Sequence, residues 1–153
     1  MDAIPRLDAR EIQALNETLD DEYKSYETYA QVIRDFGDVR PFINIVRAEQ
    51  RHYSALLTLF EKYRIAPPEN RWVGRAPRFP SVLDACAAAV QGELENVALY
   101  DRALQSTGRA DLIAAYRALR SASQDRHLPA FRRCTRRGGG GRGRDGPRWS
   151  GPV

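Results

Sequence analysis

The chain has few of the residues that anchor several common kinds of protein. Among its 153 residues are two cysteines, two histidines and one methionine. Two cysteines cannot form a disulfide framework or a four-cysteine metal centre, and their scarcity makes a reducing, cytoplasmic compartment the expected one. No apolar run approaches the ~20 residues a membrane-spanning helix needs, so no membrane partner is expected. The opening stretch, MDAIPRLDAREI, has neither a basic segment nor an apolar stretch, so no signal peptide is expected. Lysine is almost missing, with Lys24 and Lys62 the only two. The positive charge is carried by arginine and is unevenly placed. From Arg132 onward seven arginines face one aspartate, so residues 1–131 carry a net charge of −2 although the whole chain carries +4. The tail RRCTRRGGGGRGRDGPRW invites a nucleic-acid reading through arginine–phosphate contacts. Arginine, glycine and proline in a lysine-poor chain reflect a GC-rich genome equally well, so nucleic acid is not the expected partner. Residues 138–153 read as a disordered Gly/Arg-rich tail and residues 1–137 as one domain.

What the chain does have is helical periodicity. Four amphipathic helices are readable. The first runs from about Asp8 to Asp35 on Ile12, Leu15, Leu19, Tyr26, Tyr29 and Ile33. Gly37 stops it, and Asp38 is placed to cap the second, with Pro41 in its first turn. The second runs to about Arg64 on Phe42, Ile45, Leu56, Leu59 and Tyr63. A proline-broken loop, RIAPPENRWVGRAPRFP, follows. Ser81 caps the third helix, which carries Leu83, Cys86, Val90, Val97, Tyr100 and Leu104. After the turn STGR, the fourth carries Leu112, Tyr116, Leu119, Ala130 and Phe131. The first and last connections are short, so each flanking pair is an antiparallel hairpin. The middle loop of about 16 residues reaches ~50 Å extended, more than the ~38 Å of a 25-residue helix. It can therefore cross the bundle and leave the second and third helices parallel. The expected fold is all-α: a ferritin-like four-helix bundle with one long crossover.

Several polar residues fall on these apolar faces, where they are costly unless paired. In AEQRHYSALLTLF, Glu49 lies four after Ile45 and His52 four before Leu56. Glu22 sits between Leu19 and Tyr26, and Glu93 between Val90 and Val97, whereas Glu95 faces solvent. Both histidines of the chain face inward, each with a polar residue three before it: Glu49-x-x-His52 and Gln124-x-x-His127. The halves echo each other. Glu22 precedes Tyr29 by seven residues, and Glu93 precedes Tyr100 by seven, which reads as a weak internal repeat of a helical hairpin. E-x-x-H offers an oxygen and a nitrogen to one point. Single carboxylates from two further helices can close the same point from the other side, an arrangement suited to a pair of metal ions. Tyr26, Tyr29, Tyr53 and Tyr100 read first as core packing and second as hydrogen-bond partners of the ligands or as participants in electron transfer. Cys86 and Cys134 lie seven residues from Glu93 and His127 respectively. They read as two packed free thiols, with a redox pair as the alternative.

The segments LDDEYKSYETY, FGDVRPFINIVRAEQRHYSALLTLFEKY, CAAAVQGELENVALYD and ASQDRHLPAFRRC resemble the ferritin-like superfamily, which includes ferritins and rubrerythrins. The nearer resemblance is to a small bacterial ferritin-like family catalogued as domain of unknown function 2202. It covers most of residues 15–134. The resemblance implies metal ligation by Glu22, Glu49, His52, Glu93 and His127, with Gln124 standing where the di-iron pattern has a second glutamate. It implies iron as cofactor, two ions expected or one, with Mn or Zn as alternatives. It also implies oxidoreductase chemistry on Fe(II) with O₂ or peroxide, and a homodimer or larger homo-oligomer. Three carboxylates in place of four leave two divalent ions with a net +1. The alternative function is therefore a single-metal or metal-free structural bundle. Asp125 could replace Gln124 only if Pro129, which removes the hydrogen bond to the Asp125 carbonyl, distorts the helix.

Overall fold

The computed structural model describes residues 5–138. Helix α1 spans Ala9–Phe36, α2 Phe42–Lys62, α3 Val82–Leu104 and α4 Ala110–Ala122. A π-helical turn over Ser123–His127 joins α4 to α5, Leu128–Arg136, and the three together form the fourth helix. The fold is thus an all-α four-helix bundle. The expected Gly/Arg tail lies outside the described residues apart from Gly138. Among the described residues no helix is long and apolar enough to cross a membrane.

The helix ends follow local chemistry. Asp8 caps α1 in a reciprocal box with Glu11, each side chain accepting the other's backbone N–H at 2.8 and 3.0 Å. Gly37 ends the helix at φ 83°, and its N–H donates to the Ile33 carbonyl. Ser81 caps α3 by accepting from the Asp84 N–H at 3.0 Å. Asp38 does not cap α2 as the sequence suggested; the helix begins after Pro41, with no side-chain cap. Val39 lies between the two and is buried at 2% exposure. The chain drops this residue into the core before the helix can start.

The crossover is anchored along α1. Arg71 makes a two-pronged ion pair with Asp20 at 2.7 and 2.8 Å, and the Trp72 indole donates to the same carboxylate at 3.1 Å. Further on, Asn70 donates to Glu27, and Arg78 pairs with Asp35 at 2.6 and 3.0 Å. Asp20 and Asp35 are about 22 Å apart along a helix rising 1.5 Å per residue. The loop therefore runs along α1 and delivers α3 parallel to α2, as its length predicted.

The core divides into two apolar clusters. One gathers Leu15, Leu19, Leu56, Tyr100, Leu112 and Tyr116; the other gathers Tyr29, Phe36, Phe42, Cys86, Ala89 and Phe131. On every helix the residues between these sets are polar and buried: Glu22, Glu49 and His52, Glu93 and Asn96, Ser123 and His127. The inner face of α3 is rotated from the expected stripe. Ala85, Ala89 and Ala103 are buried, whereas Leu83 is 40% exposed and Val90, Val97 and Leu104 are half-buried.

The preference for two free thiols is corrected. Cys86 and Cys134 form a disulfide between α3 and α5. The antiparallel helices bring their Cα atoms to 6.1 Å, inside the range a disulfide spans.

At the opposite end, Glu11 accepts from Thr107 Oγ1 at 2.6 Å and from Arg109 Nε at 3.0 Å, tying α1 to the turn before α4. Burial pushes its carboxyl up, but the Thr107, Asp8 and Arg109 hydrogen bonds together hold it below the ordinary value. Glu11→Ala strands these donors and is expected to destabilise the fold by about 2–3 kcal/mol. The check is urea unfolding at pH 7. The gap to the parent should narrow as pH falls below the ordinary glutamate value, because a depressed carboxyl stabilises only while ionised.

Candidate metal centre

The polar layer between the clusters is one connected site. Glu22 comes from α1, Glu49 and His52 from α2, Glu93 from α3, and His127 from the end of the π-helical turn. All five are buried. His52 Nδ1 lies 3.5 Å from Glu22 Oε2 and 3.3 Å from Glu49 Oε2. His127 Nδ1 lies 3.1 Å from Glu49 Oε1 and 3.4 Å from Glu93 Oε1. Two ligand groups result, Glu22–Glu49–His52 and Glu49–Glu93–His127, each with its donor atoms within 4.8 Å of one another. Glu49 belongs to both, one oxygen toward each histidine. The imidazole rings stack at 5.4 Å between centroids, 18° from parallel.

The internal repeat reappears as crossed hydrogen bonds. Tyr29 donates to Glu93 Oε1 at 2.8 Å, and Tyr100 donates to Glu22 Oε1 at 2.5 Å. Each half's tyrosine thus holds the other half's glutamate. Burial, together with the neighbouring carboxylates, pushes both phenols well above their ordinary value, so both remain proton donors at neutral pH. Tyr26 and Tyr53 instead pack edge to face, 5.3 Å apart, and make no such contact.

Gln124 is displaced from the position the sequence gave it. Its side chain is exposed, as is that of Asp125. The cause is the π-helical turn, in which the Leu128 N–H donates five residues back to Ser123. A π turn advances roughly 82° per residue against about 100° in an α-helix. Three residues before His127 then lies about 114° off its direction instead of about 60°. Pro129, which cannot donate to Asp125, makes the wider turn tolerable. The distortion foreseen at Pro129 is present, but it turns neither Asp125 nor Gln124 inward; Ser123, four residues before His127, is the buried one.

Ser123 leads to two residues the sequence reading missed. Its hydroxyl donates to Asn96 Oδ1 at 2.6 Å, and Asn96 Nδ2 donates to Asp21 Oδ2 at 2.7 Å and weakly to Glu22 Oε1 at 3.5 Å. Asn96 therefore links the fourth helix to α1 beside the ligands. Its signal was an amide three residues after Glu93 on the same inward face. Asp21, beside it, has its carboxyl pushed up to about 6, chiefly by burial.

Electrostatics divide the carboxylates. Burial and the charge of Glu49 push Glu22 up to about 8. Burial also works to raise Glu49, but the polar groups of Glu22, His127 and His52 that face it outweigh burial and hold Glu49 below its ordinary value. Burial lowers the histidines, yet the carboxylates facing them prevail: His52 is raised to about 10 by Glu22 and Glu49, and His127 to about 9 by Glu49 and Glu93.

The donor set fits metal ions. Five buried side-chain polar atoms lack a hydrogen-bond partner among the described residues, and three of them are Glu22 Oε2, His52 Nδ1 and His127 Nδ1. These atoms approach their neighbours without hydrogen-bond geometry. Donors ~2.1 Å from a common ion lie roughly 3.0–3.4 Å apart, as three of the four histidine–carboxylate pairs here do, at 3.1, 3.3 and 3.4 Å. Oxygen and imidazole nitrogen with no thiolate suit iron, manganese or zinc.

No protein-family model matches the chain, and no curated protein matches it. Solved structures that share its fold include two hypothetical proteins. Hypothetical protein MJ0754 from Methanococcus jannaschii DSM 2661 is 24% identical with a TM-score of 0.77, over 89% of this chain and 86% of that one. A conserved hypothetical protein from Mycobacterium tuberculosis, rv2844, is 14% identical with a TM-score of 0.70, over 83% of this chain and 91% of that one. At these identities the likeness extends to the fold alone.

Proposed function

We propose that the bundle binds a pair of metal ions, iron first among them, and acts as an oxidoreductase on Fe(II) with O₂ or peroxide, in the manner of the ferritin-like proteins its sequence resembles. The observation that carries this reading is the convergence of three unpartnered buried donor atoms on two groups that share Glu49. Glu22 and His52 would hold one ion, Glu93 and His127 the other, and Glu49 both. Bound iron supplies one-electron exchange with an oxidant. The chain's own residues exclude water with an apolar cluster on each side, fix Glu22 and Glu93 through Tyr100 and Tyr29, and brace Glu22 through Asn96.

The test is stoichiometry. Metal-stripped protein is reloaded anaerobically with Fe(II), freed of excess and assayed for iron per chain, then exposed separately to peroxide and to air while its near-ultraviolet absorbance is followed. Two ions with an absorbance change support the reading. One ion points to a single-metal site. None, with Mn and Zn also failing, leaves the second reading: a structural bundle whose histidines end as imidazolium–carboxylate pairs. The outward position of Gln124, which leaves three carboxylates, favours that alternative.

A further inference from the structure

Cys134, the end of the disulfide on α5, is buried at 3% exposure but borders a pocket. The pocket, about 210 Å³, opens between the start of α2 and α5, and Cys134 forms part of its wall. Arg40, Arg133 and Arg137 surround it, with Asn44 beside them and no carboxylate in the lining. All three arginines are exposed, and none has an ion-pair partner among the described residues. Arg71, Arg78 and Arg120 are by contrast held by aspartates. Three unpaired guanidiniums around one concavity make a field that gathers small anions. Cys86 does not reach the pocket and is fully buried.

From this we infer that the pocket is a docking site for a low-molecular-weight thiol bearing a carboxylate or sulfonate, which reduces the Cys86–Cys134 disulfide by attack at Cys134. The guanidiniums hold the anionic group and favour the thiolate form of the incoming sulfur, the form that reacts. The thiolate forms a bond to Cys134 Sγ, the Cys134–Cys86 bond breaks, and Cys86 leaves as a thiolate that takes up a proton. A second thiolate attacks the sulfur of the first. The small-molecule disulfide departs, and Cys134 takes up a proton. Two thiols are oxidised and one disulfide is reduced. The inference stands apart from the metal reading, because neither the pocket nor the reaction uses the polar layer. It does tie α3 to α5 reversibly, two helical turns from both Glu93 and His127.

The test compares three thiols of matched size on the intact native chain: anionic 2-mercaptoethanesulfonate, neutral 2-mercaptoethanol and cationic cysteamine. Each rate of disulfide opening is divided by the same thiol's rate on the urea-denatured chain, which removes differences in intrinsic reactivity. The anionic thiol should exceed the cationic one by at least about tenfold at low salt, and the ratio should approach one at about 0.5 M salt. The exposed R40Q/R133Q/R137Q triple variant should lose the preference while keeping its fold. Brief reaction, alkylation and peptide mass mapping should place the mixed disulfide on Cys134 and the alkyl group on Cys86. Equal corrected rates, an adduct on Cys86, or two free thiols in the native chain before any reductant would each overturn the inference.

Discussion

If the polar layer holds the proposed pair of metal ions, Glu49→Ala should remove both, whereas His52→Ala and His127→Ala should each remove one and keep the other. Glu49 is the residue common to the two ligand groups, with Oε2 3.3 Å from His52 Nδ1 and Oε1 3.1 Å from His127 Nδ1. Disturbing a group that merely orients a ligand weakens metal affinity about 10–100-fold. Loss of the carboxylate proposed to ligate both ions should weaken each by more than about 100-fold, below the threshold for retention through desalting. The histidine variants distinguish this from general damage to the layer, since each leaves one three-residue group short and the other intact. Glu95→Ala, exposed on α3 two residues from Glu93, is the control and should bind as the parent does. Circular dichroism on the stripped proteins checks that the helices persist. Unchanged metal content in Glu49→Ala, with the fold retained, would remove Glu49 from the centre and with it the shared-ligand arrangement.

How much of this was legible in the sequence depended on which residues kept a regular helical period. Glu22, Glu49, His52, Glu93 and His127 follow apolar neighbours at steps of three or four, so their convergence could be read from spacing. The crossover was legible for a different reason, since chain length alone bounds its reach. Gln124 failed because one wide turn changes the angle per residue, and nothing in SQDRH itself states that the turn is wide; only Pro129 hinted at it. Asn96 and Ser123 were missed because amides and hydroxyls on an inward face are common, and their bond runs between helices whose register no single sequence reveals. The α3 stripe was misjudged because alanine carries little hydrophobic weight. Ala85, Ala89 and Ala103 face inward because a small side chain there lets neighbouring helices approach. That same close approach put Cys86 within reach of Cys134. The reciprocal bonds of Tyr29 and Tyr100 were half visible: the seven-residue spacing repeats in the sequence, but that each tyrosine serves the other half's glutamate requires the bundle to be assembled.

Protons should compete with metal at this site, with an effect on affinity that dominates all others near neutral pH. In the metal-free protein His52 is raised to about 10, His127 to about 9 and Glu22 to about 8. At pH 7 all three hold a proton that a metal ligand must surrender. The carboxylates facing them come from three of the four helices, Glu22 from α1, Glu49 from α2 and Glu93 from α3, with Tyr29, Tyr100 and the Asn96–Asp21 pair around the rim. Loading the full site should therefore release about three protons per chain near pH 7, and the overall binding constant should rise by up to about a thousandfold per pH unit until the pH nears 8. The stripped protein should show the opposite trend in stability. A histidine whose folded value is raised stabilises fully below its ordinary value of about 6.5 and loses that contribution as pH rises through the raised one. Glu22, raised by burial, moves in the same direction. The metal-free bundle should thus melt at progressively lower temperature from about pH 7 to pH 10, and bound metal should reverse that decline. Calorimetric titration with Zn(II) in two buffers of different ionisation enthalpy counts the protons, and melting curves across pH record the stability. Fewer than one proton released, with a flat melting profile to pH 10, would mean the histidines are neutral in the resting protein. The carboxylates and imidazoles would then not form the charge-paired, metal-exchangeable layer described here.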